Sequence, residues 1–270
     1  MRPQRSSGAA LASATAVVLA TGFNTQAQDA KPPDKPPEKK GWETVASLGA
    51  SLTRGNSDSL LATFGVNTAR KWSKDEILLG ANAGFGETTK NNPKDNQPPL
   101  GDDDVTTKSD QYVKGFGQWN HLLTERLYVG VRADAIYDEI AGIDYRATLS
   151  PLVGYYFIKN PTTFLSGELG PSVIFENVRT DPSTIYFGFR VGERFEHKFS
   201  ERTKLWQTAD LVPQVDDLEN WVLNFELGVS AALTKALDLQ VKFLDTFDNE
   251  PAALRKQNDL KLITALAYKF

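Results

Sequence analysis

Apolar and polar residues alternate along most of this chain, and this alternation limits the folds that it can adopt. In the stretch RLYVGVRADAIY, Leu127, Val129 and Val131 share one parity, whereas Arg132 and Asp134 share the other. Residues two apart lie on the same face of a β-strand, and the helical period of 3.6 fits the stretch poorly. The pattern therefore predicts strands with one apolar and one polar face.

About twelve such segments follow one another, which predicts the strand count. They span approximately residues 42–54, 59–71, 76–88, 109–120, 126–138, 144–157, 162–176, 184–197, 202–215, 219–233, 236–248 and 258–270. None contains the roughly 20 consecutive apolar residues that a membrane-spanning helix needs.

The connections between the segments alternate between two kinds. Short turns such as WSKD and HLLTE alternate with longer or more acidic loops such as TKNNPKDNQPPLGDDDVTTK and NEPAALRKQ. An even number of antiparallel strands, with short turns at one rim and longer loops at the other, is typical of outer-membrane barrels. The sequence therefore predicts an all-β fold, a transmembrane antiparallel up-and-down β-barrel of about 12 strands. A soluble sandwich or lipocalin accounts for the strands, but less easily for the two kinds of connection.

The first 41 residues differ from the rest in composition. MRPQR is basic, GAALASATAVVLAT is small and apolar, and Thr25 and Ala27 fit a small-residue cleavage site, which is the pattern of a secretory signal peptide over residues 1–27. A buried N-terminal helix is the alternative. Residues 28–41 are rich in proline and lysine and predict an extended periplasmic linker. Residues 42–270 are then the barrel, in the outer membrane of a Gram-negative-type bacterium after export through the periplasm.

The chain ends in LITALAYKF, an apolar strand face that reaches the last residue. In a closed barrel this strand pairs with the first one, and lipid covers Leu266, Tyr268 and Phe270. The ending resembles the C-terminal assembly signal of outer-membrane proteins, which implies recognition by the barrel-assembly machinery. Outer-membrane lipid and lipopolysaccharide are the other expected partners. The net charge of −4 leaves no basic surplus for a nucleic acid.

A few residues conflict with the simple alternation. Glu193 and Gln207 carry the parity of the lipid-facing side, and Pro151 and Pro171 lie inside predicted strands, although proline cannot donate to a sheet. We expect β-bulges at these places. The stretch QYVKGFGQW has no clear inward face, because a lysine in it shares parity with two aromatic residues.

Residues suited to catalysis are few. The chain has no cysteine, which excludes disulfides and thiol chemistry, and its two histidines, His121 and His197, fall beside short turns, where solvated rim residues are common. The acidic stretch GDDDV lacks the spacing of an EF-hand and indicates a solvated loop. No nucleotide-binding or zinc motif is present. We predict no enzyme, no catalytic residue, no cofactor and no metal site.

Charged residues collect on the predicted inward face, and they are mixed in sign. The proposed lumen-lining residues are Arg126, Arg132, Asp134, Arg146, Glu168, Arg190, Arg194, Asp210, Glu226, Lys242 and Lys261. They predict either a narrow polar channel for small polar or anionic solutes, or a closed structural or stress-related envelope barrel with a salt-bridged lumen and no transport. An outer-membrane hydrolase is a third, less favoured interpretation.

Three stretches resemble the YdiY-like family of outer-membrane proteins, some of which are called salt-induced and which are built on a domain of unknown function. They are TRGNSDS, GERFEHKFSERTKLWQTADLVPQ and FDNEPAALRKQNDLKLITALAYKF. The resemblance extends over about residues 42–270. It implies a barrel in the outer membrane and brings no catalytic residues with it.

Overall fold

A computed structural model describes residues 41–53, 57–90, 105–179, 182–251 and 256–270. The predicted signal peptide, all but one residue of the predicted linker, and nearly all of the acidic GDDDV stretch lie outside the described residues. No helix that could cross a membrane occurs in the described parts of the chain.

The described residues form twelve antiparallel strands, as the alternation predicted. They are β1 (Glu43–Thr53), β2 (Ser57–Lys71), β3 (Asp75–Lys90), β4 (Val105–Leu122), β5 (Leu127–Asp138), β6 (Ile143–Lys159), β7 (Thr163–Val178), β8 (Thr184–Lys198), β9 (Thr203–Pro213), β10 (Trp221–Ala232), β11 (Leu237–Asp248) and β12 (Asn258–Lys269).

The sheet closes on itself, because β1 pairs with β12 and every other strand pairs with its neighbours in sequence. Among the residues that the structure describes, this closing seam contains six residue pairs, from Val45 with Lys269 to Ala50 with Thr264. Eleven pairs join β1 to β2, and eleven join β11 to β12. Closure leaves no strand edge free along the paired part of the wall.

The two ends of the barrel differ, as predicted. The turn rim carries the short β2–β3, β4–β5, β6–β7, β8–β9 and β10–β11 connections, together with the start of β1 and the chain end. The loop rim carries the other connections. At the turn rim the guanidinium of Arg70 lies 4.8 Å from the ring centre of Trp72, and the rings of Tyr268 and Phe270 meet edge to face. The backbone N–H of Phe270 donates to the carbonyl of Thr44, 3.0 Å away, so the last residue is tied to the first strand.

Strand parity separates an apolar outer face from a polar inner face. Large apolar side chains on the outer face are exposed, among them Leu48, Phe64, Phe187, Leu262 and Leu266. A continuous exposed apolar surface of this size is stable only in contact with lipid. The inner face instead carries serines, carboxylates, lysines and arginines.

The expected bulges at the prolines are absent. Pro151 and Pro171 lie opposite each other, and the β6–β7 register is the same on both sides of them, with Leu149 paired to Val173 and Val153 to Leu169. Ladder pairing lapses only between these positions, because neither proline has an N–H to donate. On the inner side of this gap, the hydroxyls of Ser150 and Ser172 lie 2.7 Å apart and bond to each other. The bulge prediction was therefore wrong at the prolines. It was also wrong at Glu193 and Gln207, because the β7–β8 and β8–β9 ladders keep one register through these residues. The register shifts instead in the β3–β4, β5–β6 and β6–β7 ladders at other positions.

Glycines on the neighbouring strand explain the ambiguous stretch QYVKGFGQW. Tyr112 and Phe116 both point inward and lie over Gly84 and Gly80 of β3, where an added Cβ would come within 2.4 Å and 2.3 Å of the two rings. The β4 inner face therefore carries aromatic rings and Lys114 together. The room for the rings is supplied by glycines that are distant in sequence.

Candidate functional site: the charged barrel interior

A network of paired charges lines the wall formed by β5, β7, β8 and β9, and we call it the paired network; β4 contributes only the neutral Gln118 to it. Arg190 is 5% exposed and donates to the Glu168 carboxylate at 2.9 Å and also to Asp210. Arg132 donates to Asp134 at 2.8–3.0 Å. Each guanidinium thus has carboxylate partners, which is the arrangement that makes buried charge tolerable.

Neutral side chains join the two halves of this network. Gln118 donates to Glu168 at 2.6 Å and accepts from Arg132 at 3.2 Å. Tyr128 adds a third donor to Glu168, at 2.7 Å. The network therefore runs continuously from β5 to β9 through Gln118 of β4 and Glu168 of β7.

Aromatic residues fill the interior nearer the turn rim. Tyr128 and Tyr156 are nearly fully buried with Leu152, their rings are 4.8 Å apart, and Phe164 packs against Tyr156. The Tyr156 hydroxyl donates to Glu76 of β3 at 2.5 Å. These contacts close off part of the lumen beside β5, β6 and β7.

Arg146 makes a bridge across the interior near the loop rim. It donates to Glu176 of the adjacent strand at 2.6 and 2.9 Å, and to Asp248 of β11 at 3.3 Å. Strands β6 and β11 are five positions apart in the ring of twelve, so the bridge crosses the lumen almost along a diameter. The Arg146–Asp248 bridge therefore occupies part of the lumen near the loop rim.

Three lysines face the interior from strands β4, β11 and β12. We call Lys114, Lys242 and Lys261 the lysine cluster. Lys261 pairs with Asp110 at 2.7 Å and lies over the Tyr112 ring. Lys114 and Lys242 have no hydrogen bond or ion pair within the described part of the chain. Lys114 is within electrostatic reach of both other lysines, of Glu226 on the opposite wall and of Asp138 of β5.

The exposure of Lys114 indicates open space inside the barrel. Its side chain points inward, in register with Asn82 and Ile136, yet the residue is solvent-exposed. An inward side chain in a closed barrel is exposed only where the neighbouring side chains leave space beside it. The interior therefore has open space next to Lys114.

The remaining predicted lumen residues fall into smaller groups. Glu226 accepts from the indole N–H of Trp206 at 2.6 Å, and Arg194 pairs with Glu196, which also lies 3.6 Å from Lys204. Arg126 is different, because it lies in the exposed turn before β5 rather than on the strand. The predicted assembly residues Leu266, Tyr268 and Phe270 lie at the end of the closing strand on the outer face.

Sequence reasoning missed several residues that organise the interior, notably Glu76, Gln118, Tyr128 and Tyr156. Each carries inward parity, so each was available to the same rule that selected the charged residues. Gln118 and the two tyrosines were missed because only charged residues were selected, although the polar ends of these side chains also need partners when buried.

The two histidines lie on the outer side of the turn rim. His121 contacts the Asp75 carboxylate at 3.0 Å, and His197 contacts the Thr163 hydroxyl at 2.9 Å. No cluster of three potential metal ligands occurs among the described residues.

Comparison with known sequences identifies one family. A family described as a protein of unknown function, DUF481, matches residues 46–270. No curated protein sequence matches the chain.

Comparison with solved structures identifies the fold. The NanC porin is similar with a TM-score of 0.50 at 6% identity, over 85% of this chain and 100% of the porin. An outer-membrane channel from Pseudomonas putida F1 has a TM-score of 0.49 at 12% identity, over 90% of this chain and 100% of the channel. The translocator domain of the autotransporter NalP from Neisseria meningitidis has a TM-score of 0.45 at 14% identity, over 85% and 88% of the two chains. At 6% identity, the similarity to the NanC porin shows the barrel fold alone.

Proposed function

The chain belongs to DUF481, a family of unknown function, and we propose that it is an outer-membrane conduit for small polar solutes that prefers anions. The proposal rests on one observation, the solvent-exposed Lys114 inside a closed barrel. Unpaired lysines in a wet, narrow lumen hold fixed positive charge along the path of a solute. Such charge raises the local concentration of anions and repels cations.

The conduit is narrow on this proposal. The paired network and the buried tyrosines occupy the wall from β5 to β9, and the Arg146–Asp248 bridge crosses the lumen near the loop rim. The free path then runs beside β10 to β12, β1 and β4, past the lysine cluster. A solute with a carboxylate or phosphate group fits this charge.

Planar-bilayer recording tests the proposal. Purified protein, checked for folding by its faster migration on gels when unheated, is added to a bilayer under a tenfold KCl gradient. We expect discrete conductance steps and a reversal potential of the sign set by chloride permeation. A folded protein without conductance steps, or with cation selectivity, contradicts the proposal.

A closed barrel without transport is the second candidate, favoured by the two ion pairs that cross the lumen. Arg146 meets Asp248 from five strands away, and Lys261 of β12 meets Asp110 of β4 from four strands away. If these bridges seal the lumen, the folded protein gives no conductance in the same recording. The barrel then serves the envelope as a structural element.

The proposed location brings its own partners, which are lipid, lipopolysaccharide and the barrel-assembly machinery. The outer apolar face and the aromatic turn rim support contact with lipid.

Deletion of Phe270 removes the N–H that bonds to Thr44 and one aromatic residue of that rim. We expect the deletion to lower strongly the amount of heat-modifiable protein in outer-membrane fractions, whereas one polar residue inserted after Leu123, in the β4–β5 turn that follows His121, is better tolerated. Equal amounts for the deletion and the wild type would contradict assembly through the C-terminal strand.

A further inference from the structure

A carboxylate lies on the lipid-facing surface of the barrel. Glu193 of β8 is exposed and has outward parity, between Val191 and Phe195 on its own strand. Its cross-strand neighbours are Gly167 of β7 and Ala209 of β9. None of these four neighbours can pair with a carboxylate.

Glu193 lies within the apolar band rather than at its edge. It is five residues from the turn-rim end of β8 at Lys198, which is roughly 13 Å along the barrel axis for a strand tilted about 40°. The Phe195 ring lies between it and the rim. An acidic side chain facing lipid at this depth is unfavourable, although less so than Arg or Lys.

An amide lies beside it in the same patch. Gln207 of β9 also points outward, directly opposite Phe195 and diagonal to Glu193. Neither Glu193 nor Gln207 has a hydrogen bond or ion pair within the residues that the structure describes. The patch thus contains one unused acceptor group and one unused donor group.

We propose that the β8–β9 outer face is an interface with a second copy of this chain. A two-fold axis near Ala209 exchanges the two polar positions, so that each Gln207 amide donates to the Glu193 carboxylate of the other copy. A two-fold interface requires a self-complementary surface, and a patch with both a donor and an acceptor meets this requirement. Ala209 lacks a bulky side chain, so two walls can approach closely there, as small residues permit in membranes. At Gly167 the ring of Phe157 from β6 already fills the space above the backbone. The inference rests on the outer face lying in lipid and is independent of whether the lumen conducts.

Site-specific cross-linking tests the interface, because the chain has no native cysteine. The variant Ala209→Cys places one thiol beside the proposed axis. The matched control is Ala62→Cys, which is also on the outer face but on β2, six positions from β8 in the ring of twelve. We expect mild oxidation of intact outer membranes to give a covalent dimer with Ala209→Cys and a monomer with Ala62→Cys. Heat-modifiable migration establishes that both variants are folded.

Two further variants separate hydrogen bonding from chance collision. In the Ala209→Cys background, Glu193→Leu removes the acceptor and suits lipid, so we expect the dimer yield to fall about tenfold. Glu193→Gln keeps an acceptor and should retain most of the dimer. Equal dimer yields from Ala209→Cys and Ala62→Cys, an unchanged yield with Glu193→Leu, or a cross-linked band whose mass is that of a different partner would each overturn the proposal.

Discussion

The two walls of the barrel interior balance their charges in different ways. On the β5–β9 wall, Arg190 has two carboxylate partners and Arg132 has one. On the β11–β12–β4 side, Lys114 and Lys242 have no charged partner in contact among the described residues, and open space adjoins the Lys114 side chain. Paired charges cancel each other's field and fix side chains in place, whereas unpaired charges leave a field for a solute. On the proposed function, the first wall holds the barrel together and the second wall meets the solute.

The strongest test of this contrast removes Arg190. The variant Arg190→Ala leaves Glu168 and Asp210 without their central cation in a largely buried site. Breaking a buried pair by removing one partner costs about 3–5 kcal/mol, so we expect the free energy of unfolding to fall by about that amount. Urea unfolding of protein refolded in lipid vesicles measures it.

The matched control for that variant is Lys242→Ala on the opposite wall. Because Lys242 has no partner to leave behind, its removal should change the free energy of unfolding by less than about 0.5 kcal/mol. A large loss for Lys242→Ala, or a small one for Arg190→Ala, would remove the distinction between the walls.

A second test neutralises the lysine wall. The double variant Lys114→Gln and Lys242→Gln removes the two unpaired cations and retains polar side chains of similar length. We expect the ratio of chloride to potassium permeability to fall about fivefold, which corresponds to about 1 kcal/mol. Reversal potentials in a KCl gradient report this ratio. Lys204→Gln, at a lysine already 3.6 Å from Glu196, should leave it nearly unchanged, and an equal fall there would argue against a role specific to the cluster.

The smallest expected effect concerns the bridge between the walls. Asp248→Ala removes the β11 end of the Arg146 contact but leaves Arg146 paired with Glu176. Because the bridge occupies part of the lumen near the loop rim, its loss should raise the single-channel conductance about twofold, with selectivity unchanged. An unchanged conductance would place the narrowest point of the lumen elsewhere.

Much of the fold was predictable because each strand contains its own two-residue period. The predicted segment 126–138, for example, differs from β5 by one residue at its start. That single residue matters for Arg126, which has the inward parity of Tyr128 but lies in the turn. Strand ends are set by turn geometry and not by alternation.

The partners inside the lumen were not predictable from the same pattern. Inward parity selected Arg146 and Glu168 correctly as strand residues, but their contacts depend on which strands face each other across the interior. Asp248 meets Arg146 from five strands away, which requires the register of every strand between them. The inward placement of the Tyr112 and Phe116 rings was equally unpredictable, because it depends on the space above glycines of the neighbouring strand β3.

The short closing seam has a consequence for the lifetime of the folded barrel. A closed wall cannot unravel strand by strand until one complete seam has separated, and the β1–β12 seam has six pairs where its neighbours have eleven. We therefore expect separation of these six pairs to be an early step in spontaneous unfolding, so that its activation barrier contributes to how long a folded molecule persists. Substitutions between Val45 and Ala50 should therefore change the unfolding rate more than equivalent substitutions in the middle of the chain.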